Sequence, residues 1–142
     1  MRIKTAVISL LIIFGLASFS FALADEVLVI VNSKGPLVNI SDKDIRGVYQ
    51  GEKRFEAGVK IIPVELGGIK EQFLSSFMNT TSKNYRVLWT KKVFQDGMQP
   101  PALMSSAEKV VEIVRRENGA IGYINKKDLK GESGIKIIKT IK

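Results

Sequence analysis

The spacing of apolar residues along the chain separates segments typical of strands from segments typical of helices. Continuous apolar or β-branched runs, as in buried strands, occur at four places. We predict strands at Glu26–Asn32, Lys60–Val64, Ala120–Ile124 and Ile135–Ile141. Glycine weakens a strand, so Gly122 inside the third run indicates a bulge or a place where another group approaches the backbone closely.

Four other segments repeat apolar residues with the period of an α-helix. The first begins at the capping box Ser41–Asp44 and ends near Gly51, and the second begins at Gly67-Gly68. The third lies near Lys83–Gln95, and Ser105 or Ser106 caps the fourth. The apolar positions are Ile69, Phe73 and Phe77 in the second helix, Tyr85, Leu88, Trp89 and Val93 in the third, and Ala107, Val110, Val111 and Val114 in the fourth. Residues 51–58 and 97–101 are predicted loops.

This alternation of strands and helices predicts an α/β fold, a three-layer domain with a largely parallel sheet. In such sheets, ligands bind beyond the carboxyl ends of the strands, against helix N-termini. The candidate ligand-binding residues at those points are Asn32, Ser33, Gly67, Gly68, Ser105 and Ser106. Tyr123 alternates with Ile121, so we place its ring in the core and its hydroxyl at the rim.

The first 24 residues have the organisation of a secretory signal peptide. Arg2 and Lys4 precede a nearly continuous apolar run over residues 5–23, and Ala22-Leu23-Ala24 supplies the small residues of a cleavage site. The alternative is a retained membrane anchor, since the run approaches the ~20 residues that span a bilayer. We favour cleavage, which leaves residues 25–142 as one domain without a membrane span and predicts a periplasmic or secreted protein.

The mature chain is basic. The full sequence has 22 Lys and Arg against 14 Asp and Glu, and removal of Arg2 and Lys4 leaves a net charge of +6. Export makes nucleic acid an improbable partner, so the expected partners are small anions, acidic protein surfaces or anionic lipid.

The residue types that are missing restrict the chemistry. The sequence contains no histidine and no cysteine. A Ser–His triad, a Cys–His pair and a histidine metal site cannot be formed without them. No phosphate-loop or Gly-x-Gly-x-x-Gly motif occurs. We therefore expect no enzyme activity, no metal and no cofactor.

Three segments in order resemble the phosphate-type periplasmic substrate-binding proteins, which have the type II binding-protein fold. They are Ile40–Gly51, then Lys60–Val64 leading into Gly67–Phe73, and finally Asn118–Tyr123 with its Gly-Ala-Ile-Gly-Tyr sequence. The resemblance spans about residues 27–125. It implies one lobe of a type II binding protein, because the phosphate-transporting members have two lobes and are much longer.

The resemblance also implies a ligand loop, but with altered side chains. The family has a basic residue followed by Ser-Gly-Thr. This chain has Gly67, Gly68 and Ile69 in place of Ser, Gly and Thr, and Lys70 is the only nearby cation. Backbone N–H groups at this helix start can still receive an anion. The loss of two hydroxyls and an arginine, each worth ~1.5–3 kcal/mol in a charged hydrogen bond, predicts weak binding.

Three functions remain open at this point. The first is an exported, single-lobe protein, related to the solute-binding proteins of ABC transporters, that weakly binds phosphate or another small oxyanion. The second is a periplasmic protein-interaction module that has lost ligand binding and meets an envelope protein or another copy of itself. The third, a peripheral membrane or envelope-polymer binder, rests on the +6 charge alone.

Overall fold

The computed structural model describes residues 25–142, so the predicted leader over residues 1–24 lies outside the described part. The strands are β1 (Val27–Asn32), β2 (Phe55–Glu56), β3 (Val59–Lys60), β4 (Ile62–Leu66), β5 (Ala102–Met104), β6 (Ala120–Asn125) and β7 (Ile135–Ile141). The α-helices are α1 (Asp42–Tyr49), α2 (Lys70–Ser76), α3 (Ser82–Asp96) and α4 (Ala107–Arg116). Short 3-10 helices lie at Pro36–Asn39, Gly67–Ile69 and Lys126–Asp128. Among the described helices, none is both long and apolar enough to cross a membrane.

Five strands form one sheet in the order β5-β4-β6-β1-β7. Strand β4 is parallel to β5 and β6, whereas β1 is antiparallel to both β6 and β7. Four of the five strands therefore point the same way, as predicted, and β1 runs against them. All six residues of β1 are buried because a neighbouring strand lies on each side and helices cover the sheet.

Helices cover both faces of the sheet, which confirms the three-layer α/β prediction. On one face, α4 packs through Val110 and Val114. A Cβ atom on Gly122 would lie 2.5 Å from the Val110 side chain, so this glycine lets α4 approach the sheet closely. On the other face, the Tyr123 ring stacks on Phe73 of α2 with centroids 3.9 Å apart.

The structure contains a hairpin and a short strand that were not predicted: β2 lies within the predicted loop 51–58, and β5 lies just after the predicted loop 97–101. Strands β2 and β3 form a hairpin whose turn residues, Ala57 and Gly58, both have positive φ. Alanine seldom adopts that conformation, so the turn was not recognisable from its residues. Strand β5 follows two prolines and is only three residues long, too short to show a period.

The third and second helices also differ in detail from the prediction. In α3, Tyr85 and Trp89 are buried, but Val93, predicted on the same face, is exposed. The Gly67-Gly68 segment begins with a 3-10 turn, and α2 itself starts only at Lys70.

Candidate functional site

The carboxyl ends of β4, β5 and β6 meet at one edge of the sheet, and a pocket of about 400 Å³ opens there. We call it the α4 pocket because the start of α4 forms one of its walls. It is lined by Leu66, Gly68, Ile69, Ser105, Ser106, Ala107, Glu108, Asn125, Lys127, Asp128 and Lys130. Four of the predicted ligand-binding residues, Gly68, Ile69, Ser105 and Ser106, are therefore brought together.

Ser106 is the N-cap of α4. Its Oγ accepts a hydrogen bond from the Lys109 backbone N–H at 3.3 Å, which leaves the hydroxyl proton available to a ligand. The first N–H groups of a helix lack partners within the helix and carry partial positive charge. This wall of the pocket is therefore suited to a negatively charged or oxygen-rich group.

Asn125 ends β6 at the same edge and was not among the predicted site residues. Its side chain is only 5% exposed. Its Nδ2 donates to the Asp25 carboxylate at 3.3 Å, whereas its Oδ1 has no partner among the described residues. A buried acceptor without a partner is costly, and Asn125 lines the pocket, so a donor that reached Oδ1 from the pocket would remove that cost.

The cations around the α4 pocket are already paired. Lys130 Nζ lies 3.3 Å from a Glu108 carboxylate oxygen, and Lys127 Nζ lies 3.2 Å from an Asp25 oxygen. These exposed pairs are weak and can rearrange. The pocket nevertheless carries no excess of positive charge, which agrees with the expectation of weak anion binding.

A second concavity of about 620 Å³ lies between α3 and β5, and we call it the α3 groove. Its lining residues include Glu65, Gly67, Lys70, Glu71, Ser82, Tyr85, Arg86, Trp89, Thr90, Val93, Phe94, Pro100, Pro101 and Leu103. Two further predicted ligand-binding residues, Gly67 and Lys70, therefore face this groove.

Lys70 is held in the groove by Glu65. The buried Glu65 carboxylate forms an ion pair with Lys70 Nζ at 2.8 Å and accepts a hydrogen bond from the Tyr85 hydroxyl at 2.5 Å. Glu65 neutralises Lys70, the one cation of the altered ligand loop, and its own charge opposes an anion there.

Burial keeps the tyrosines of this region protonated. Burial raises the pKa of Tyr85, and the adjacent Glu65 charge raises it further. The pKa of Tyr123 is raised by the same two causes, and that of Tyr49 is raised chiefly by complete burial. These hydroxyls therefore act as neutral hydrogen-bonding groups rather than as acids or bases.

Asn32 and Ser33 lie at the opposite edge of the sheet, because β1 runs against its neighbours. The Asn32 side chain donates to the carbonyls of Val114 and Arg115 at 2.9 and 3.0 Å and so binds the C-terminal turn of α4. The expectation that these two residues share an edge with the glycine and serine loops is corrected by the direction of β1.

Tyr123 is fully buried in the core. Its hydroxyl has no hydrogen-bond partner among the described residues, so it does not reach a pocket rim as expected. Asn125, by contrast, was recognisable in principle, since it is a polar residue directly after an apolar strand. Asn32 has the same position at the end of β1.

The described residues contain no cluster of three metal-ligating side chains. The polar groups of the α4 pocket are one amide, two hydroxyls, the paired Glu108, Lys127 and Lys130, and the Asp128 carboxylate, which forms no ion pair with a described residue. This set of donors is suited to binding a polar ligand by hydrogen bonds.

Solved structures with the same fold include an ABC-type phosphate transport receptor from Vibrio cholerae, with a TM-score of 0.58 and 16% identity. Another is a putative phosphate ABC transporter substrate-binding protein with bound phosphate from Clostridium perfringens, with a TM-score of 0.62 and 14% identity. The fold is that of one lobe of a periplasmic binding protein. The likeness covers 81% of this chain but only 46% and 44% of those chains, so this chain spans less than half of their length. No protein-family model and no curated protein matches the sequence.

Proposed function

We propose that the protein is an exported, single-lobe solute-binding-like protein that weakly binds phosphate or a related small oxyanion in the α4 pocket. The observation that carries the proposal is the unpartnered, buried Oδ1 of Asn125 beside the start of α4. The fold, shared with phosphate-transport receptors, supports the same ligand class.

The pocket combines donors with one acceptor. The α4 N–H groups and the Ser105 and Ser106 hydroxyls can donate to oxyanion oxygens. Asn125 Oδ1 can only accept, so it favours an oxyanion that still carries a proton. Inorganic phosphate has three acidic protons and keeps at least one of them near neutral pH, whereas sulfate has lost both of its protons. Phosphate should therefore bind more tightly than sulfate.

The same geometry limits the affinity. No arginine lines the α4 pocket, its two lysines are paired, and Lys70 is held by Glu65 in the α3 groove. Only one lobe contacts the ligand. We therefore expect a dissociation constant of about a millimolar, equivalent to ~4 kcal/mol of binding free energy.

Titration with phosphate and with sulfate, followed by NMR shifts of backbone amides, tests this proposal. We expect phosphate to shift the amides of Gly68 and of the first turn of α4, with a smaller response to sulfate. Ser106→Ala should weaken phosphate binding by about fivefold, since it removes one hydroxyl donor. Ser33→Ala is the matched control at the other edge of the sheet and should change nothing.

The proposal fails if millimolar phosphate shifts no amide in the pocket, or if Ser33→Ala weakens binding as much as Ser106→Ala. A complete lack of phosphate response is what the alternative function predicts, namely an interaction module that has lost ligand binding.

We further propose that residues 1–24 are removed on export and that residues 25–142 are the mature domain. The mass of the protein recovered from the periplasm or medium tests this. A mass beginning at Asp25 supports the proposal, whereas an intact N-terminus in the membrane fraction supports a retained anchor.

A further inference from the structure

Helix α3 has apolar residues on two sides. Tyr85 and Trp89 face inward and are buried, whereas Val87 and Phe94 are 60% and 84% exposed. Val87 and Phe94 are seven residues apart and therefore lie on one stripe of the helix. Leu103 on the neighbouring β5 is 59% exposed and lines the α3 groove together with Phe94. These exposed side chains take no part in the core.

Cations flank this apolar stripe. Lys83, Arg86 and Lys91 are exposed, and none of them forms an ion pair with any described residue. By contrast, the lysines beside the α4 pocket are paired with carboxylates. The only acidic residue of α3 is Asp96, at its last position. This face therefore combines three unpaired cations with exposed apolar side chains. A surface that complements it is both anionic and apolar.

We propose that this face of α3 and β5 binds the surface of a membrane containing anionic lipids. We call it the α3 outer face, made of Lys83, Arg86, Val87, Lys91, Phe94 and Leu103. An interfacial helix places its apolar side chains at the headgroup boundary and its lysines and arginines beside lipid phosphates. The α3 outer face has that distribution of residues.

The charge of this face makes a lipid surface a better occupant than a second copy of the chain. Two copies meeting through α3 would bring like charges together, which opposes association. An anionic lipid surface complements the unpaired cations and receives the protruding Phe94 side chain without requiring a matching protein pocket.

Flotation with vesicles tests the proposal, using phosphatidylcholine alone and phosphatidylcholine mixed with phosphatidylglycerol. The wild-type chain and every variant carry the same N-terminus, so a contribution from the leader cancels in the comparison. We expect binding to the anionic vesicles that weakens as salt is raised. Phe94→Ser and Lys91→Glu should each weaken binding by about tenfold.

Lys136→Glu is the matched charge control. Lys136 is exposed on β7, at the far edge of the sheet from β5, and forms no ion pair with a described residue. It changes the net charge by the same amount as Lys91→Glu but should leave vesicle binding within about twofold. Phosphate titration of Phe94→Ser should match the wild type, so failure of this proposal is distinguishable from failure of the α4 pocket.

Several results would overturn the proposal. One is equal binding to neutral and anionic vesicles, and another is an equal loss in Lys91→Glu and Lys136→Glu, which would reflect net charge alone. Light scattering that shows a dimer dissociated by Phe94→Ser would assign the face to self-association. Binding to an acidic protein with no binding to vesicles would assign it to a protein partner.

Discussion

Helices α3 and α4 are attached to the two faces of the same sheet by different means. Helix α4 fits by shape, with Val110 and Val114 buried against the bare backbone at Gly122. Helix α3 is longer, but only its Tyr85 and Trp89 are buried, and both of these side chains also form hydrogen bonds. Trp89 Nε1 donates to the Tyr49 carbonyl at 3.0 Å, and the Tyr85 hydroxyl donates to Glu65.

This difference matches the two roles proposed above. Close packing holds α4 against the sheet, which suits a pocket built on the start of that helix. Because only two side chains of α3 are buried, most of the α3 surface lies outside the core. Each of the following predictions tests one side of this contrast, in order of decreasing effect.

High pH should destabilise the domain through groups on the α3 side of the sheet. All three tyrosines of the chain lie in the core on that side, and each has a pKa raised by burial. Their stabilising contribution is complete below the unfolded-state pKa of ~10 and is lost as the pH rises above it, because the unfolded chain then releases protons that the folded chain retains. The free energy of unfolding should fall by up to ~4 kcal/mol per pH unit.

Denaturant unfolding between about pH 9 and pH 11 measures this loss. Tyr123→Phe removes one of the three groups and should reduce the slope by a third without lowering stability at neutral pH, since the Tyr123 hydroxyl has no partner. A free energy that stays constant over this range would contradict the prediction.

A side chain at Gly122 should disrupt the packing of α4 against the sheet. Gly122→Val places side-chain atoms where Val110 already lies and should cost ~3 kcal/mol by overpacking. Adding Val110→Ala should recover part of that loss, a coupling that a double-mutant cycle by denaturant unfolding would measure. Gly131→Val is the control, because no atom lies within 4 Å of a Cβ there. Additive effects of the two changes would exclude the close contact.

Removal of the Glu65 carboxylate should weaken the attachment of α3 to β4 and so lower stability. In Glu65→Ala, Lys70 can turn toward water, but the Tyr85 hydroxyl is left buried without an acceptor, at a cost of ~2 kcal/mol. Glu71→Ala removes an exposed carboxylate of α2 and should cost less than ~0.5 kcal/mol. Equal thermal shifts in the two variants would mean that Glu65 does not hold the helix.

The smallest effect is expected on the outer face of α3. Phe94→Ser should change the free energy of unfolding by less than ~0.5 kcal/mol, because the ring is exposed. Val110→Ala, which truncates a fully buried side chain of α4, should cost several times more. A loss above ~1 kcal/mol in Phe94→Ser would show that the outer face contributes to the fold.

The sequence was sufficient to predict the layers of the fold but not the direction of β1. The apolar run of β1 predicts burial, and burial on both faces is common in parallel sheets, yet an antiparallel strand between two neighbours is equally buried. The direction depends on pairing with residues near 120 and 140, which no local pattern encodes. Asn32 and Ser33 were placed at the wrong edge for that reason.

The candidate site was predicted in part. Ser106 was recognisable because a cap belongs to its own helix and depends on local spacing. The contacts of Glu65 with Lys70 and Tyr85 join a strand to two helices, and only the packing of α2 and α3 determines them. Asn125 became a candidate through the lack of a partner for its Oδ1, a property that exists only in the folded chain.

The position of β1 has a consequence for the order of events in folding. This first strand of the domain lies between β6 and β7, the last two to be synthesised. Contacts between residues so distant in sequence form late and slow the search for the native state, because a large loop must close before they are made. The sheet therefore cannot be completed during synthesis until β6 and β7 have left the ribosome, and until then β1 has neither of its neighbouring strands.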